Sequence, residues 1–264
     1  MQVWAISYQP SSITEDLYQR ALPLVDPESR SRIQRFYRRE DACRCLIGRL
    51  LPRMLLRERG VRPELMKFGA TEAGKPYITS SGIDPPIGFN VSHDSGMVVM
   101  AFAEGRCDPP AYRIGVDVME VKLPPRDTFR GFVHTVGDQL TSLEHRLLLS
   151  PGIDPQEALR RFYLLWTMKE AYTKALGLGL GFEFRRVEYN VPDNVLTVDG
   201  VVPKGWEFVV FDLNQETTRY VGVAARLVGG EATQLTHYDP TTDGEWLSRF
   251  DASTFIEKAI DELH

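Results

Sequence analysis

Between Gln156 and Leu176 the chain holds its tightest constraint: twenty-one residues without Pro or Gly, with apolar side chains recurring at three and four. That spacing predicts one long helix, and Gly177 is the natural residue just past its end. A helix of about 30 Å cannot bury its apolar stripe alone, so it demands a sheet or a second long helix. Phe162, Trp166, Glu170 and Lys174 are spaced by four and share one face. The stripe therefore starts in a core and ends at a polar site. The simpler alternative is a solvated i,i+4 Glu–Lys pair, a common helix decoration.

Strands to cover that helix are legible. VWAISY opens the chain as a strand, and Ile87–His93 and Met97–Ala103 flank Asp94-Ser95-Gly96 as a hairpin. Ile114–Val121, Phe184–Val191, Val195–Val198, Trp206–Leu213 and Arg219–Leu227 read as further strands, suggesting an antiparallel sheet. Arg30 to about Arg59 has helical spacing, with Ser29 or Ser31 as the expected N-cap and Pro52 expected to kink or divide it. Phe129–Leu149 is mixed, with helix expected in its second half, and the last twenty residues form at most an acidic amphipathic helix. Asp108-Pro109-Pro110 is the best linker. Each half thus has an early strand, a long helix and closing strands. The fold class is α+β with two similar lobes: residues 1–108, residues 109–230 and an acidic extension over residues 231–264.

Charge narrows the partners. The net charge is −5, which argues against a general nucleic-acid coat. Yet from Arg30 to Arg62 eleven Arg face only Glu40, Asp41 and Glu58, so an anion is expected near this segment. Three cysteines, Cys43, Cys45 and Cys107, without metal spacing point to reduced thiols in the cytoplasm. The opening residues lack the pattern of a signal peptide, and the longest uncharged apolar run, Met97–Ala103, is far short of a membrane span.

Four further features bear on chemistry. In RIGVDVMEV, alternation puts Gly115, Asp117 and Met119 on one face and Glu120 on the other. A carboxylate inside an apolar strand needs a metal, a cation or several donors, unless it bonds to backbone at a sheet edge. His93 sits where a strand meets a turn; a lone His is more often structural than functional. Gly74-Lys75-Pro76 is not a phosphate-binding P-loop and by itself reads as a turn. Gly177, Gly179 and Gly181 follow a helix rather than a strand, so a dinucleotide fingerprint is excluded by context.

The order of these features is more specific than any one of them. RFYRREDACRCLIGRLL (35–51), GKP (74–76), FNVSHD (89–94), GVDVMEV (115–121) and LLWTMKEAYTKALGLGLGF (164–182) appear in sequence. Together they resemble the 4′-phosphopantetheinyl transferases of the larger, Sfp-type class, and GLGLGF is more similar to the eukaryotic members. The resemblance covers about residues 25–190, with strands like those of the family's second lobe to about residue 227.

The resemblance implies a pseudo-dimer of two α/β lobes in one chain, acting as a monomer. Such an enzyme moves the phosphopantetheine arm of coenzyme A onto a carrier-protein serine and releases adenosine 3′,5′-bisphosphate. It implies Mg²⁺, with Mn²⁺ as an alternative, on Asp117 and Glu170. Met119 stands where bacterial members often carry a third acid, and water is expected to fill that place. Lys174 matches the lysine that meets the diphosphate, and His93, with Ser92 beside it, the phosphate-binding histidine. Arg32, Arg44, Lys75 and its neighbours Gly74 and Pro76 match the 3′-phosphate and adenine end. Ser29 replaces a bacterial lysine, and Arg30 is a candidate to compensate. Glu170, or a hydroxide on the metal, is implied as the base for the serine. The carrier is expected to dock near Phe129–Leu149. The implied clients are apo carrier domains of fatty acid synthases, polyketide and nonribosomal peptide synthetases, and the aminoadipate reductase of lysine synthesis. Nucleic acid and membrane are not expected partners. The alternative is a non-catalytic coenzyme A or carrier-binding protein that has kept the fold.

Overall fold

The structure is a computed structural model and describes residues 1–242 and 244–264, with Leu180 described by its backbone alone. In chain order come β1 (Gln2–Ser7), α1 (Glu15–Ala21), α2 (Pro27–Gln34), α3 (Arg39–Glu58), β2 (Phe68–Ala70), β3 (Pro76–Ile78), β4 (Ile87–Asp94), β5 (Met97–Glu104) and β6 (Ile114–Glu120). They are followed by α4 (Phe129–Thr135), α5 (Ser142–Leu148), α6 (Pro155–Leu176), β7 (Val187–Asn190), β8 (Val195–Val198), β9 (Trp206–Gln215), β10 (Thr218–Leu227), β11 (Gln234–His237), β12 (Leu247–Asp251) and α7 (Ala252–Leu263). The fold is α+β, and the chain divides into two compact units, Met1–Tyr112 with Pro240–His264, and Arg113–Asp239.

In the first unit the sheet order is β12-β1-β5-β4. β12 runs parallel to β1, and the other two pairings are antiparallel. Trp4 and Ile6 of β1, Leu46, Ile47 and Leu50 of α3, and Phe255 and Ile256 of α7 share one buried core. The residues expected to form a separate acidic extension are instead divided. Gln234–His237 pairs with β9 in the second unit, while β12 and α7 complete the first. The physical reason is the apolar face of α7, whose Phe255, Ile256, Ala259 and Ile260 are buried.

The Arg-rich stretch also departs from expectation. Its break falls at 35–38, between α2 and α3, and α3 runs through Pro52. Burial of Leu50, Leu51 and Met54 around the proline holds the helix together across the missing N–H. The cap of α2 is Asp26, not Ser29 or Ser31: its side chain accepts the Ser29 N–H at 2.8 Å.

The second unit repeats the plan. Its sheet order is β11-β9-β10-β6, with β11 parallel to β9 and the rest antiparallel. α6 lies across β6 and β10, capped by Asp154 at its start and by Gly177, at φ 70°, at its end. The first half of the Phe129–Leu149 segment is helical too, as α4, and the segment expected as a strand from Phe184 begins as a 3₁₀ turn, Phe184–Arg186. β7 and β8 form their own hairpin outside the main sheet.

Candidate active site

The second unit places its polar residues by a close helix–strand contact. Gly115 lies under α6, where a Cβ would sit 2.1 Å from the Ala171 carbonyl oxygen and 2.4 Å from the Ala175 nitrogen. Only Gly permits that approach. Asp117, two residues on and on the same face, is therefore brought under the last turns of α6. It is 3 % exposed, and its Oδ1 accepts from Lys174 Nζ at 2.6 Å. The expected stripe is present: Phe162 is buried, Trp166 stacks on it, and Glu170 and Lys174 are half-buried at the polar end. Lys174 thus pairs across to the strand. Burial pushes the Glu170 carboxyl above the usual range; Lys174 opposes this and the nearby Asp117 charge adds to it. The expectation that Glu120 points away from this face agrees with its position on the alternate side of β6.

The first unit carries the other expected residues, on β4, α2, α3 and the turn before β3. Ser92 is buried and His93 exposed at the end of β4. The turn after them is gripped by Arg44, which donates to the Ser95 carbonyl oxygen at 2.7 Å and to Asp41 at 2.5 Å. Arg32 is exposed on the last turn of α2. Ser29 is buried at the start of α2, and Arg30 donates to the Pro23 carbonyl oxygen at 3.2 Å. Gly74 takes φ 83° in a tight turn closed by Thr71, which leads into Pro76 at the start of β3. Lys75 is buried, and its Nζ donates to the Tyr112 carbonyl oxygen at 2.6 Å.

Both halves of the chain match known family models. Residues 8–105 match the 4′-phosphopantetheinyl transferase, N-terminal model, and residues 113–221 match the 4′-phosphopantetheinyl transferase superfamily. Across its whole length, and the whole length of the relative, the chain is 53 % identical to the 4′-phosphopantetheinyl transferase pptA of Paxillus involutus. The chain belongs to the 4′-phosphopantetheinyl transferase family. More distant members include the L-aminoadipate-semialdehyde dehydrogenase-phosphopantetheinyl transferase of Mus musculus, 31 % identical over 83 % of this chain and 72 % of the relative. The 4′-phosphopantetheinyl transferase of Bacillus subtilis is 28 % identical over 74 % of this chain and 78 % of the relative.

One residue of the transferase helix escaped the sequence reading. Lys169, next to Glu170, has no exposed surface and pairs with the equally buried Glu144 at 2.8 Å. The signal was a lysine inside the apolar stripe, between Leu165 and Tyr172. Thr141-Ser142-Leu143-Glu144 also carries the spacing of a capping box, which the structure contains. Among the described residues no cluster of three or more His, Cys, Asp or Glu side chains is grouped for a metal, in keeping with Met119 on the site face of β6.

Proposed function

We propose that this chain transfers the 4′-phosphopantetheine arm of coenzyme A to a serine of apo carrier domains, with Asp117, Glu170 and Lys174 as its catalytic group. The observation that carries it is the buried Asp117 in ion contact with Lys174, beside a Glu170 whose carboxyl is raised by burial. A binder of coenzyme A has no need of two carboxylates where an anionic diphosphate must sit.

The two acids are hard oxygen donors of the kind Mg²⁺ and Mn²⁺ take, and they fit a cation that phosphate oxygens and water complete. Asp117 and Glu170 would hold it, and it would neutralise diphosphate charge as a Lewis acid. Lys174, whose Nζ donates to Asp117 at 2.6 Å, is assigned to the diphosphate as a point charge on a flexible stem. The serine Oγ attacks the β-phosphorus and forms a new P–O bond. The bond from that phosphorus to the bridging oxygen breaks, and its electron pair leaves with adenosine 3′,5′-bisphosphate. The serine proton passes to Glu170 as general base.

His93, with Ser92, is assigned to the phosphates; Arg32, Arg44 and Lys75, on the turn of Gly74 and Pro76, to the 3′-phosphate and adenine end. Arg suits phosphate because its planar fork binds bidentately. The carrier is assigned to α4 and α5, where Phe129, Phe132 and Val136 are only half-buried against the core. Carriers of fatty acid, polyketide and nonribosomal peptide synthesis and of aminoadipate reduction are the proposed clients, served by a monomer. The three free cysteines suit a reducing, cytoplasmic setting. Incubation with coenzyme A, Mg²⁺ and a panel of apo carriers, read by intact mass, tests the reading. A phosphopantetheine adduct on at least one carrier is expected. No adduct on any carrier, with coenzyme A still bound, would turn the reading toward a non-catalytic binder.

A further inference from the structure

Lys169 is the most buried charge next to the proposed base, and the transfer mechanism above does not use it. Its Nζ meets four acceptors: Glu144 at 2.8 Å and the carbonyl oxygens of Val187 at 2.5 Å, Phe184 at 2.9 Å and Gln139 at 3.3 Å. These come from the turn before α5, α5 itself, and the 3₁₀ turn Phe184–Arg186 with the first residue of β7. Glu144 in turn accepts from the backbone N–H groups of Thr141 at 2.8 Å and Tyr189 at 3.1 Å. One ammonium therefore fastens α6 to all of these stretches.

Stability does not account for this arrangement. A buried ion pair gives back in Coulomb attraction about what its desolvation costs, and apolar pairs of similar size often do as well. Burial pushes the Lys169 ammonium down; the charge and hydrogen bond of Glu144, and after them the Glu188 charge, work against that. What the pair supplies is direction. Lys169 and Lys174 are five residues apart, so they leave the helix about 140° from each other. Lys174 is tied to Asp117 on one side and Lys169 to Glu144 on the other. The helix is thus held at two points around its axis, with Glu170 between them. At roughly 7 Å from the axis, a ten-degree rotation moves a side-chain tip by about 1 Å, enough to cost on the order of 100-fold in a reaction that depends on alignment.

We propose that Lys169 is a positioning residue for the transfer: with Glu144 and the three carbonyls it sets the rotation of α6 that aims Glu170 and Lys174. The proposal rests on the transfer reading above. The test compares wild type, Lys169→Met, the charge-neutral double variant Lys169→Met with Glu144→Gln, and Lys169→Arg. Thermal unfolding, coenzyme A affinity by calorimetry, and kcat and KM for one carrier are measured on each.

The single Met variant leaves Glu144 buried without its cation and should lose the most Tm. The double variant removes both charges, keeps an amide acceptor for Thr141 or Tyr189, and should recover most of that Tm. Its kcat should stay about ten-fold or more below wild type, with coenzyme A affinity within about two-fold. A double variant with wild-type kcat would overturn the proposal, because activity would then follow stability alone. If the double variant does not fold, Lys169→Arg decides. It keeps the charge, but a planar fork cannot match the four acceptors, so a lowered kcat at near wild-type Tm is expected and an unchanged kcat overturns the proposal. A wild-type protein that modifies no carrier overturns the transfer reading instead, and this proposal with it.

Discussion

The two units build the same sheet twice, with a parallel edge pair followed by two antiparallel pairings, and their matching edge strands begin alike. β4 reads Ile87-Gly88-Phe89-Asn90-Val91, and β6 reads Ile114-Gly115-Val116-Asp117-Val118. The fourth residue of each is buried, 7 % exposed for Asn90 and 3 % for Asp117. An amide at that position needs only hydrogen bonds, whereas a carboxylate needs a cation, and Lys174 supplies one. The difference sets the two units apart. The first unit offers cations steadied by backbone carbonyls, as with Arg44 on Ser95 and Lys75 on Tyr112. The second offers the carboxylates.

Making the second unit like the first is the most damaging way to probe this. Asp117→Asn should lower transfer on the order of 10²–10³-fold, as removal of one preorganised electrostatic contact does. Coenzyme A-dependent carrier modification, timed by intact mass, measures it. A loss under five-fold would mean the carboxylate is structural, as the amide at Asn90 is.

The helix contacts differ as sharply. A Cβ at Gly115 collides with the α6 backbone, while one at Gly48 in α3 would lie 3.4 Å from Val91 Cγ1, an ordinary contact. Gly115→Ala should therefore destabilise by about 2–4 kcal/mol, and Gly48→Ala should change stability by less than about 1 kcal/mol in either direction. Denaturant unfolding of both checks the asymmetry; equal effects would contradict it.

Two carboxylates sharpen the contrast in pH. Asp26, capping α2 in the first unit, is held below the usual range: burial works against this, but the Ser29 bonds and Arg53 outweigh it. Its stabilisation is present above the ordinary carboxylate pKa and fades as pH falls through the lowered one. Glu170 has the opposite sign. Its folded pKa is raised, so its contribution is present in acid and is lost as pH rises. In metal-free protein Glu170→Gln should thus be at least as stable as wild type at pH 7, with the gain vanishing below about pH 4. Asp26→Ala should cost about 1 kcal/mol at pH 7 and less in acid. Thermal unfolding across pH tests both, and a destabilised Glu170→Gln variant at pH 7 would break the contrast.

Sequence periodicity carried much of this. The run from Gln156 to Gly177 and the alternation around Asp117 are local patterns, so helix, strand and the facing of Asp117 were readable from residue spacing alone. Three things were not. Leu247–Asp251 pairs with Gln2–Ser7 across nearly the whole chain, and no local pattern encodes a partner so distant. The helix runs through Pro52 because tertiary burial of Leu50, Leu51 and Met54 outweighs one missing N–H. Lys169 sits inside the motif LLWTMKEAYTKALGLGLGF, but burial of its charge depends on a partner, Glu144, that lies twenty-five residues earlier.

The central claim is that Glu170 acts in the chemistry and not in the fold. Wild type and Glu170→Gln should be compared side by side for carrier modification by intact mass and for thermal unfolding at pH 7. The account predicts that the variant nearly abolishes transfer while its Tm equals or exceeds that of wild type. Wild-type transfer in the variant, or loss of transfer only in step with loss of fold, would contradict it.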